Sequence, residues 1–276
     1  MKITWYSVGL FALCISVFLQ TSEARSAQIL PGGIVTLTLD DATESQYQFG
    51  LPILKKYGLV ATVYLTTGDI QDSFDPNSPV MSWSQVREWQ QAGSELGAHT
   101  ETHPHLKALA DPEKLREELS YPAALIYRKT GVYPTSFASP YGEFDDATLA
   151  EIRKLYHNHV GGWIGTEKGA EGENPFIGID PYRISRYEVE RDTSVEYVCS
   201  EVERAGREGF WLVFVFHRVV PQPLPGDDGF YTVSAAKFEH IAECIANAAK
   251  SGSIRVATIK QALEEVSPQA DTPKAP

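Results

Sequence analysis

Short apolar runs alternate along the chain with longer segments in which apolar residues recur every three or four positions. The short runs are rich in β-branched residues and end at polar ones, which is typical of buried strands, whereas the longer segments have the spacing of helices that pack one face on a sheet. The clearest strand predictions are 34–40, 59–67 and 210–217, and weaker ones are 94–100, 135–142, 183–189 and 254–259. The predicted helices are 44–57, 82–91, 112–130, 145–156, 193–209 and 234–252.

This alternation predicts an α/β domain in which helices cover a parallel sheet. The sheet is either a closed barrel or a doubly wound sheet, and periodicity alone does not choose between them. Three stretches rich in Gly, Pro and polar residues, at 74–79, 165–175 and 221–229, interrupt the pattern. We expect them to be surface loops that shape a substrate groove.

Reactive residue types follow four of the predicted strands at their carboxyl ends, where active sites of parallel α/β folds gather. They are the pair Asp40-Asp41, the histidines His99 and His103, the segment Ser139-Pro140-Tyr141, and His217. Each alone has an ordinary explanation, since a strand-terminal Asp is often a helix cap and paired histidines are often solvent-facing or core residues. Two imidazoles spaced four apart, with a carboxylate, are also a common ligand set for zinc and related ions. Four such strand ends together favour a metal-dependent catalytic site.

Composition and net charge limit the classes of molecule that the protein is expected to bind. The 276 residues, 43% of them hydrophobic, suit one domain with a large core. With 36 acidic and 24 basic residues the net charge is -12, and no basic cluster interrupts it, so we expect no nucleic-acid partner. The aromatic content of 11% leaves material for binding a neutral glycan. The sequence does not set the oligomeric state, and we assume a monomer.

The first residues predict export. Residues 1–24 combine Lys2, an apolar run over 5–19 and the small residues Ser22 and Ala24, a pattern typical of a cleaved secretory signal. The run is shorter than the ~20 residues of a spanning helix, so an uncleaved anchor is the weaker alternative. We therefore expect a secreted or periplasmic protein without stable membrane insertion after cleavage. The expected organisation is a signal peptide at 1–24, a catalytic domain at 30–266 and a disordered tail at 267–276.

The remaining cysteines and histidines are expected to have no catalytic role. Cys199 and Cys244 are either two buried thiols or one bridge. His105 is expected to neighbour the metal loop. Three further histidines, His157, His159 and His240, are interpreted as surface residues.

Four segments in order resemble the motifs of the polysaccharide deacetylases of carbohydrate esterase family 4, also called the NodB-homology domain. They are TLTLDDATES, HTETH, FASPYG and LVFVFH, and the resemblance covers nearly the whole chain after the signal. The third motif has the FA-x-PYG form of a bacterial branch. The resemblance implies a distorted (β/α) barrel with fewer than eight repeats. It also implies that Asp41, His99 and His103 hold a divalent metal ion, with zinc expected and cobalt as the alternative.

The same resemblance implies the catalytic roles. Asp40 is the general base that takes a proton from the attacking water. The backbone N–H of Tyr141, which follows Pro140, stabilises the oxyanion together with the metal. His217 is the general acid that protonates the leaving amine or alcohol. An amine cannot leave unprotonated, so this step matters most for an amide.

The chain departs from the family pattern at two places. Many members carry an Arg shortly before the Pro of the third motif, but here Phe137-Ala138-Ser139 precedes it. The later segment DPYRISR offers Arg186 as the residue that orients Asp40. In the fourth motif, Gly162-Trp163 stands where the family has Asp-Trp. Trp163 is expected to wall the sugar site and Asp180 to orient His217, although a core Trp and a turn Asp are equally good interpretations.

The leading function is removal of acetyl groups from an acetylated glycan, above all N-acetylglucosamine polymers. The alternatives are an acetyl-xylan esterase, a small-amide hydrolase of the same fold, and a non-catalytic glycan-binding module. A binder needs no acid and base pair, and the expected export argues against small amides. A metalloprotease is disfavoured because Thr100 follows His99 where a zinc protease motif needs Glu, and Glu101 stands one place later.

Overall fold

The computed structural model describes residues 1–2, 32–162, 172–223, 226 and 229–267. The strands are β1 Gly33–Leu39, β2 Thr62–Leu65, β3 Glu95–Ala98, β4 Ser136–Ala138, β5 Asn158–Val160, β6 Glu173–Asn174, β7 Tyr187–Glu188, β8 Trp211–Phe216, β9 Arg218–Val220, β10 Thr232–Ser234 and β11 Ile254–Val256. The helices are α1 Leu51–Tyr57, α2 Trp83–Gln91, α3 Pro112–Thr130, α4 Asp146–Ile152, α5 Val195–Glu208, α6 Ala235–Lys250 and α7 Ile259–Val266.

Parallel strands in the order β5-β4-β3-β2-β1-β8 form the main sheet, and β7 pairs in parallel with β8. The chain just before β7 returns to the other edge, where Ile184 forms a parallel bridge with Val160 of β5. The segment 184–188 thereby joins both edges of the sheet. Counting it as one strand, seven parallel strands make a distorted (β/α) barrel, which confirms the predicted fold with fewer than eight repeats.

Local sequence signals explain where the helices begin and end. Ser82 caps α2 and forms a capping box with Gln85. Asp111 caps α3, whose first residue is Pro112, and the helix ends at Gly131 with φ of 76°. These boundaries agree with the predicted ones, because the cap residues Ser82 and Asp111 can be recognised in the sequence.

Two apolar clusters form the core. The larger lies between the sheet and the outer helices. The smaller fills the barrel and includes Ile34, Tyr64, Trp211, Val213 and Ile259 of α7. Because β11 pairs with the first residues of β1, it lies with α7 at the end of the barrel where the strands begin. The opposite end, where the strands finish, is left for the site.

Several predicted elements differ from the structure. The helix expected over 44–57 starts as a π turn at Gln46–Gly50 before α1 begins. The strand expected at 254–259 stops at Val256, and Thr258 caps α7, which the sequence analysis did not predict. The short pairs β6–β8 and β9–β10 were not predicted either. Two- and three-residue strands are too short to give a hydrophobic period.

The surface interpretation of His159 is wrong. His159 lies in β5 and is fully buried, whereas His240 is exposed as expected and His157 is half-buried. The two remaining cysteines form a disulfide between α5 and α6, with their Cα atoms 6.0 Å apart. Among the described ranges, no helix combines the length and apolar character needed to cross a bilayer. Apart from residues 1–2 and Ser267, the expected signal and tail lie outside the described residues.

Candidate active site

A cavity of about 620 Å³ opens where the parallel strands end. The four strand ends singled out from the sequence all reach it, through Asp40 and Asp41 after β1, His99 and His103 after β3, Ser139 and Tyr141 after β4, and His217 after β8. Arg186 and Glu188, from the segment that closes the barrel, also line it. The fold therefore brings together residues from five separate parts of the chain.

The geometry of Asp41, His99 and His103 suits a divalent metal ion. Their ligand atoms all lie within 4.8 Å of one another. Asp41 Oδ1 is 3.5 Å from Nε2 of His99 and 3.4 Å from Nε2 of His103. This carboxylate oxygen is buried and has no hydrogen-bond partner among the described residues. A buried acceptor without a partner is costly, and a cation facing it removes that cost.

Hydrogen bonding and charge prepare these side chains as ligands. Nδ1 of His99 lies 2.8 Å from the carbonyl oxygen of Ala138, so it carries the proton and leaves the Nε2 lone pair facing Asp41. Burial and the neighbouring His99 lower the pKa of His103, which favours its neutral form. Burial raises the pKa of Asp41, but the close approach of His99 and the nearby His217 and His103 outweigh it and hold that pKa well below its usual range. The Asp41, His99 and His103 side chains therefore fit zinc or a related divalent ion, which their residue types favour.

The loop that carries the two histidines is held from the side by α3. Glu118 accepts hydrogen bonds from the backbone N–H of Glu101 and of Thr102, each at 2.9 Å. Thr100 and His103 have left-handed backbones, with φ of 66° and 57°. Residues other than glycine adopt this conformation at a cost, so the loop depends on such contacts to keep its shape.

Asp40 is paired with Arg186, as expected from the DPYRISR segment. Nη1 of Arg186 is 2.8 Å from both carboxylate oxygens, and Nε donates to the carbonyl of Gly161 at 3.1 Å. Both side chains are almost fully buried, at 4% and 2% exposure. A buried carboxylate without a partner is costly, and Arg186 supplies the positive charge that the third motif lacks. The arginine that contacts Asp40 thus comes from the segment 184–188 and not from the third motif.

His217 is paired with Glu188, not with Asp180. Nδ1 of His217 is 2.9 Å from Oε1 of Glu188. Burial lowers the pKa of His217, but the charge and hydrogen bond of Glu188, with Asp41 and Asp40, raise it to about 9. Asp180 instead lies 3.6 Å from Arg153 and 3.7 Å from Arg183 at the surface, so its suggested role is wrong. Glu188 was missed, although it lies two residues after Arg186 and therefore faces the same side of an extended chain.

Tyr141 lines the cavity from a constrained turn that follows Pro140. Tyr141 has φ of 57°, and its exposed ring stacks on His105 at 3.9 Å and meets His103 edge-on at 4.7 Å. Ser139 is bonded at 2.8 Å to Nε2 of His159, whose Nδ1 is 2.9 Å from the carbonyl of Tyr182. Burial lowers the pKa of His159 to about 3, so its ring is neutral and accepts the Ser139 proton. The buried histidine thus anchors the turn.

Trp163, expected to wall the sugar site, lies outside the described residues. The neighbouring Gly162 lines the cavity, and its N–H donates to the carbonyl of Gly142 at 3.1 Å. Another aromatic residue that the sequence analysis did not single out, Tyr231, lines the cavity instead. Its ring centroid is 5.3 Å from that of His217, and half of the residue is exposed.

Residues 28–160 match the family model described as polysaccharide deacetylase. That range contains the Asp40-Asp41 pair, the two metal-site histidines and the FASPYG segment. Over this segment, just under half of its length, the chain is similar to the polysaccharide deacetylase family. A putative polysaccharide deacetylase of Bacillus subtilis is 28% identical over 136 residues, which is 49% of this chain and 46% of that protein.

Two further proteins show the range of the likeness. The poly-beta-1,6-N-acetyl-D-glucosamine N-deacetylase of Staphylococcus aureus is 30% identical over 135 residues, covering 45% of this chain and 46% of that protein. The chain thus spans about half the length of the curated relatives it matches. The structure of a family 4 carbohydrate esterase from Streptomyces lividans matches with a TM-score of 0.52 and 20% identity, covering 82% of this chain and 92% of that one. At that identity the structural match shows the fold alone.

Proposed function

We propose that the protein is a metal-dependent hydrolase that removes acetyl groups from a carbohydrate, with N-acetylglucosamine-containing polysaccharide as the leading substrate. One observation carries the proposal. A carboxylate paired with an arginine, Asp40–Arg186, and a histidine paired with a carboxylate, His217–Glu188, line the same cavity as the Asp41–His99–His103 cluster. This is the set that hydrolysis of an acyl bond needs: a base, an acid and a place for a cation.

Asp41, His99 and His103 are the residues that would hold the ion, zinc by their ligand types and cobalt as an alternative. When bound, such an ion polarises the acetyl carbonyl and makes water more acidic. Asp40 lies next to this cluster, with Oδ2 3.9 Å from Nε2 of His99. It is therefore placed to accept the proton of the attacking water, and Arg186 holds its carboxylate in place through bonds to both oxygens.

Residues at the other two strand ends would stabilise the oxyanion and protonate the leaving group. Tyr141, in the turn that follows Pro140, lines the cavity, and we assign its backbone N–H to the developing oxyanion. His217 donates its proton to the departing nitrogen or oxygen. The tetrahedral centre then collapses, the C–N or C–O bond breaks, and acetate and the free sugar leave.

The charge state of His217 supports an amide as the natural substrate. With its pKa raised to about 9, His217 carries its proton at neutral pH before substrate arrives. An amide nitrogen cannot depart without a proton, whereas many ester oxygens depart more easily. An acid that is already protonated at neutral pH is therefore more useful for de-N-acetylation than for ester cleavage.

Exposed aromatic rings support a sugar as the group that carries the acetyl. Tyr141 and Tyr231 are 57% and 50% exposed, and both line the cavity. Pyranose rings bind through apolar faces that stack on such side chains, and neutral sugars are indifferent to the net charge of -12. The expected signal at 1–24 would bring the enzyme to periplasmic or extracellular glycans.

The test is acetate release from a panel of substrates by metal-stripped protein to which zinc or cobalt is returned. The panel holds N-acetylated chito-oligosaccharides, poly-N-acetylglucosamine, peptidoglycan fragments and acetyl-xylan. Asp40→Asn is the inactive variant, and Asp180→Asn, which changes a surface carboxylate, is the matched control. We expect release from an N-acetylated glycan that depends on metal and on Asp40. Release from acetyl-xylan alone would favour the esterase, and tight glycan binding without release would favour the binding module.

A further inference from the structure

A buried glutamine links the two strand ends that carry the base and the acid. Gln46 is fully buried at the start of the π turn, and its Nε2 donates to the backbone carbonyl oxygens of both Asp40 and His217. An amide nitrogen has two protons, so one side chain satisfies both acceptors. The opposite orientation of the amide would put its oxygen against two carbonyl oxygens and is disfavoured.

The link lies just beyond the end of regular pairing. The ladder between β1 and β8 finishes at Leu39 and Phe216, with Asp40 donating its N–H to the carbonyl of Phe216 at 3.0 Å. The carbonyls of Asp40 and His217 follow this last pair. Among the described residues, Gln46 is the one side chain that donates to both of these carbonyls.

The backbone makes an unusual turn to bring Gln46 to this place. Asp41 and Ala42 both have left-handed conformations, with φ of 76° and 54°, and Gln46 N–H then donates to the carbonyl of Thr43 at 3.1 Å. Consecutive left-handed residues other than glycine are unfavourable by about 1–2 kcal/mol each. A π turn is also rare and occurs mostly at functional sites. Such costs persist where the geometry they produce is needed.

We propose that Gln46 is a positioning residue that fixes the distance between the general base and the general acid. The assignment rests on the proposed function for the roles of Asp40 and His217. Gln46 fixes the backbone under the two groups, whereas Arg186 and Glu188, two residues apart on one strand, fix their side chains. The base and the acid then act on the same acetyl group without rearrangement.

A purely structural glutamine is the competing explanation, and the chain offers a matched control. Gln85 is also buried, donates to Glu44 at 3.0 Å and accepts the N–H of Ser82 at 2.7 Å. The bond with Ser82 caps α2, the bond with Glu44 joins α2 to the segment before Gln46, and neither involves Asp40 or His217. Loss of a buried amide in either glutamine lowers stability by a similar amount, so only a positioning role separates the two.

The experiment compares Gln46→Met with Gln85→Met in the zinc-loaded enzyme. Both remove the amide and keep the length of the side chain. The measurement is kcat and KM for an N-acetylated oligosaccharide and for an activated aryl acetate, whose leaving group departs without a proton. For Gln46→Met we expect kcat on the amide to fall about 100-fold, the scale of a displacement of about 1 Å. We expect KM to change little, and the loss on the aryl ester to be about tenfold smaller. For Gln85→Met we expect the ratio of the two rates to stay at the wild-type value.

Equal losses on both substrates in Gln46→Met, or the same profile in both variants, would overturn the proposal. Crystal structures of the two variants give a second reading that does not depend on activity. We expect the separation of the Asp40 and His217 carbonyl oxygens to change in Gln46→Met alone, and an unchanged separation would overturn the positioning role. If wild type releases no acetate from any glycan, the proposed function fails, and the crystal structures still decide whether Gln46 sets the spacing.

Discussion

Replacing Glu188 by Gln removes the charge beside His217 and keeps nearly the same shape. The bond between Nδ1 and the carboxylate is 2.9 Å long, and Glu188 is the main influence that raises the pKa of His217 from 6.5 to about 9. Without it, burial pulls that pKa back toward 6.5, and only the smaller effects of Asp41 and Asp40 oppose the change. His217 acts in its protonated form, so amide hydrolysis in wild type falls as the pH rises through the higher value. In Glu188→Gln the same decline begins at lower pH.

The size of the effect follows from the two pKa values. At pH 8 a group of pKa about 9 is about nine-tenths protonated, and a group of pKa 6.5 is about 3% protonated. Protonation alone therefore predicts a loss of about 30-fold in amide kcat at pH 8 and less than about twofold at pH 6. A bound cation lowers the pKa in wild type and in the variant alike, so the displacement between the two curves is the quantity to compare.

The assay is a pH–rate profile of kcat for an N-acetylated oligosaccharide, measured for wild type, Glu188→Gln and Glu190→Gln. Glu190 is two residues farther along and is not bonded to His217 in the described part of the chain, so its variant controls for the loss of one negative charge in the cavity. We expect the alkaline limb to move down by at least one pH unit in Glu188→Gln and much less in the control. A limb that stays in place in Glu188→Gln would refute the assignment of His217 as the acid held by Glu188.

Three further changes give separate expectations. Arg186→Met leaves a buried carboxylate unpaired. Urea denaturation should therefore show a loss of about 3 kcal/mol in the free energy of unfolding, and steady-state assays should show a kcat about 100-fold lower. Wild-type values of both quantities would contradict the pairing. Glu118→Ala frees the metal loop and should weaken zinc binding about tenfold by competitive chelation, whereas Glu117→Ala, exposed on the same helix, should not. Replacing Cys199 and Cys244 by Ser should lower stability by about 3 kcal/mol without changing kcat at 25 °C, and unchanged stability would argue against the bond.

The residues at strand ends were accessible from the sequence because of one geometric rule. Asp40, Asp41, His99 and His217 each follow an apolar run, and parallel strands finish at one edge of the sheet. Their convergence was therefore predictable before any coordinates. Arg186 followed from the resemblance, since the third motif lacks its arginine. The structure shows that it contacts Asp40, although the catalytic role of that contact remains a prediction.

Other parts of the site left no such signal. Gln46 lies where a π turn breaks the helical period, so its inward direction could not be read from spacing. His159 lies between Asn158 and Val160 in a three-residue strand, which is too short to show an alternating pattern, so its burial could not be predicted from spacing. The start of α7 does have a sequence signal, because Thr258 and Gln261 have capping-box spacing. The prediction missed it because the strand expected at 254–259 included Thr258 and Ile259.

The central claim is that acetyl transfer to water requires both the metal cluster and the separate base. The most direct measurement is a zinc titration of the stripped protein in which bound zinc and acetate release are recorded in the same samples, for wild type and Asp40→Asn. We predict that acetate release in wild type rises in step with one equivalent of zinc and that Asp40→Asn binds the same zinc without releasing acetate. Release by zinc-free protein, or an active Asp40→Asn, would contradict the account.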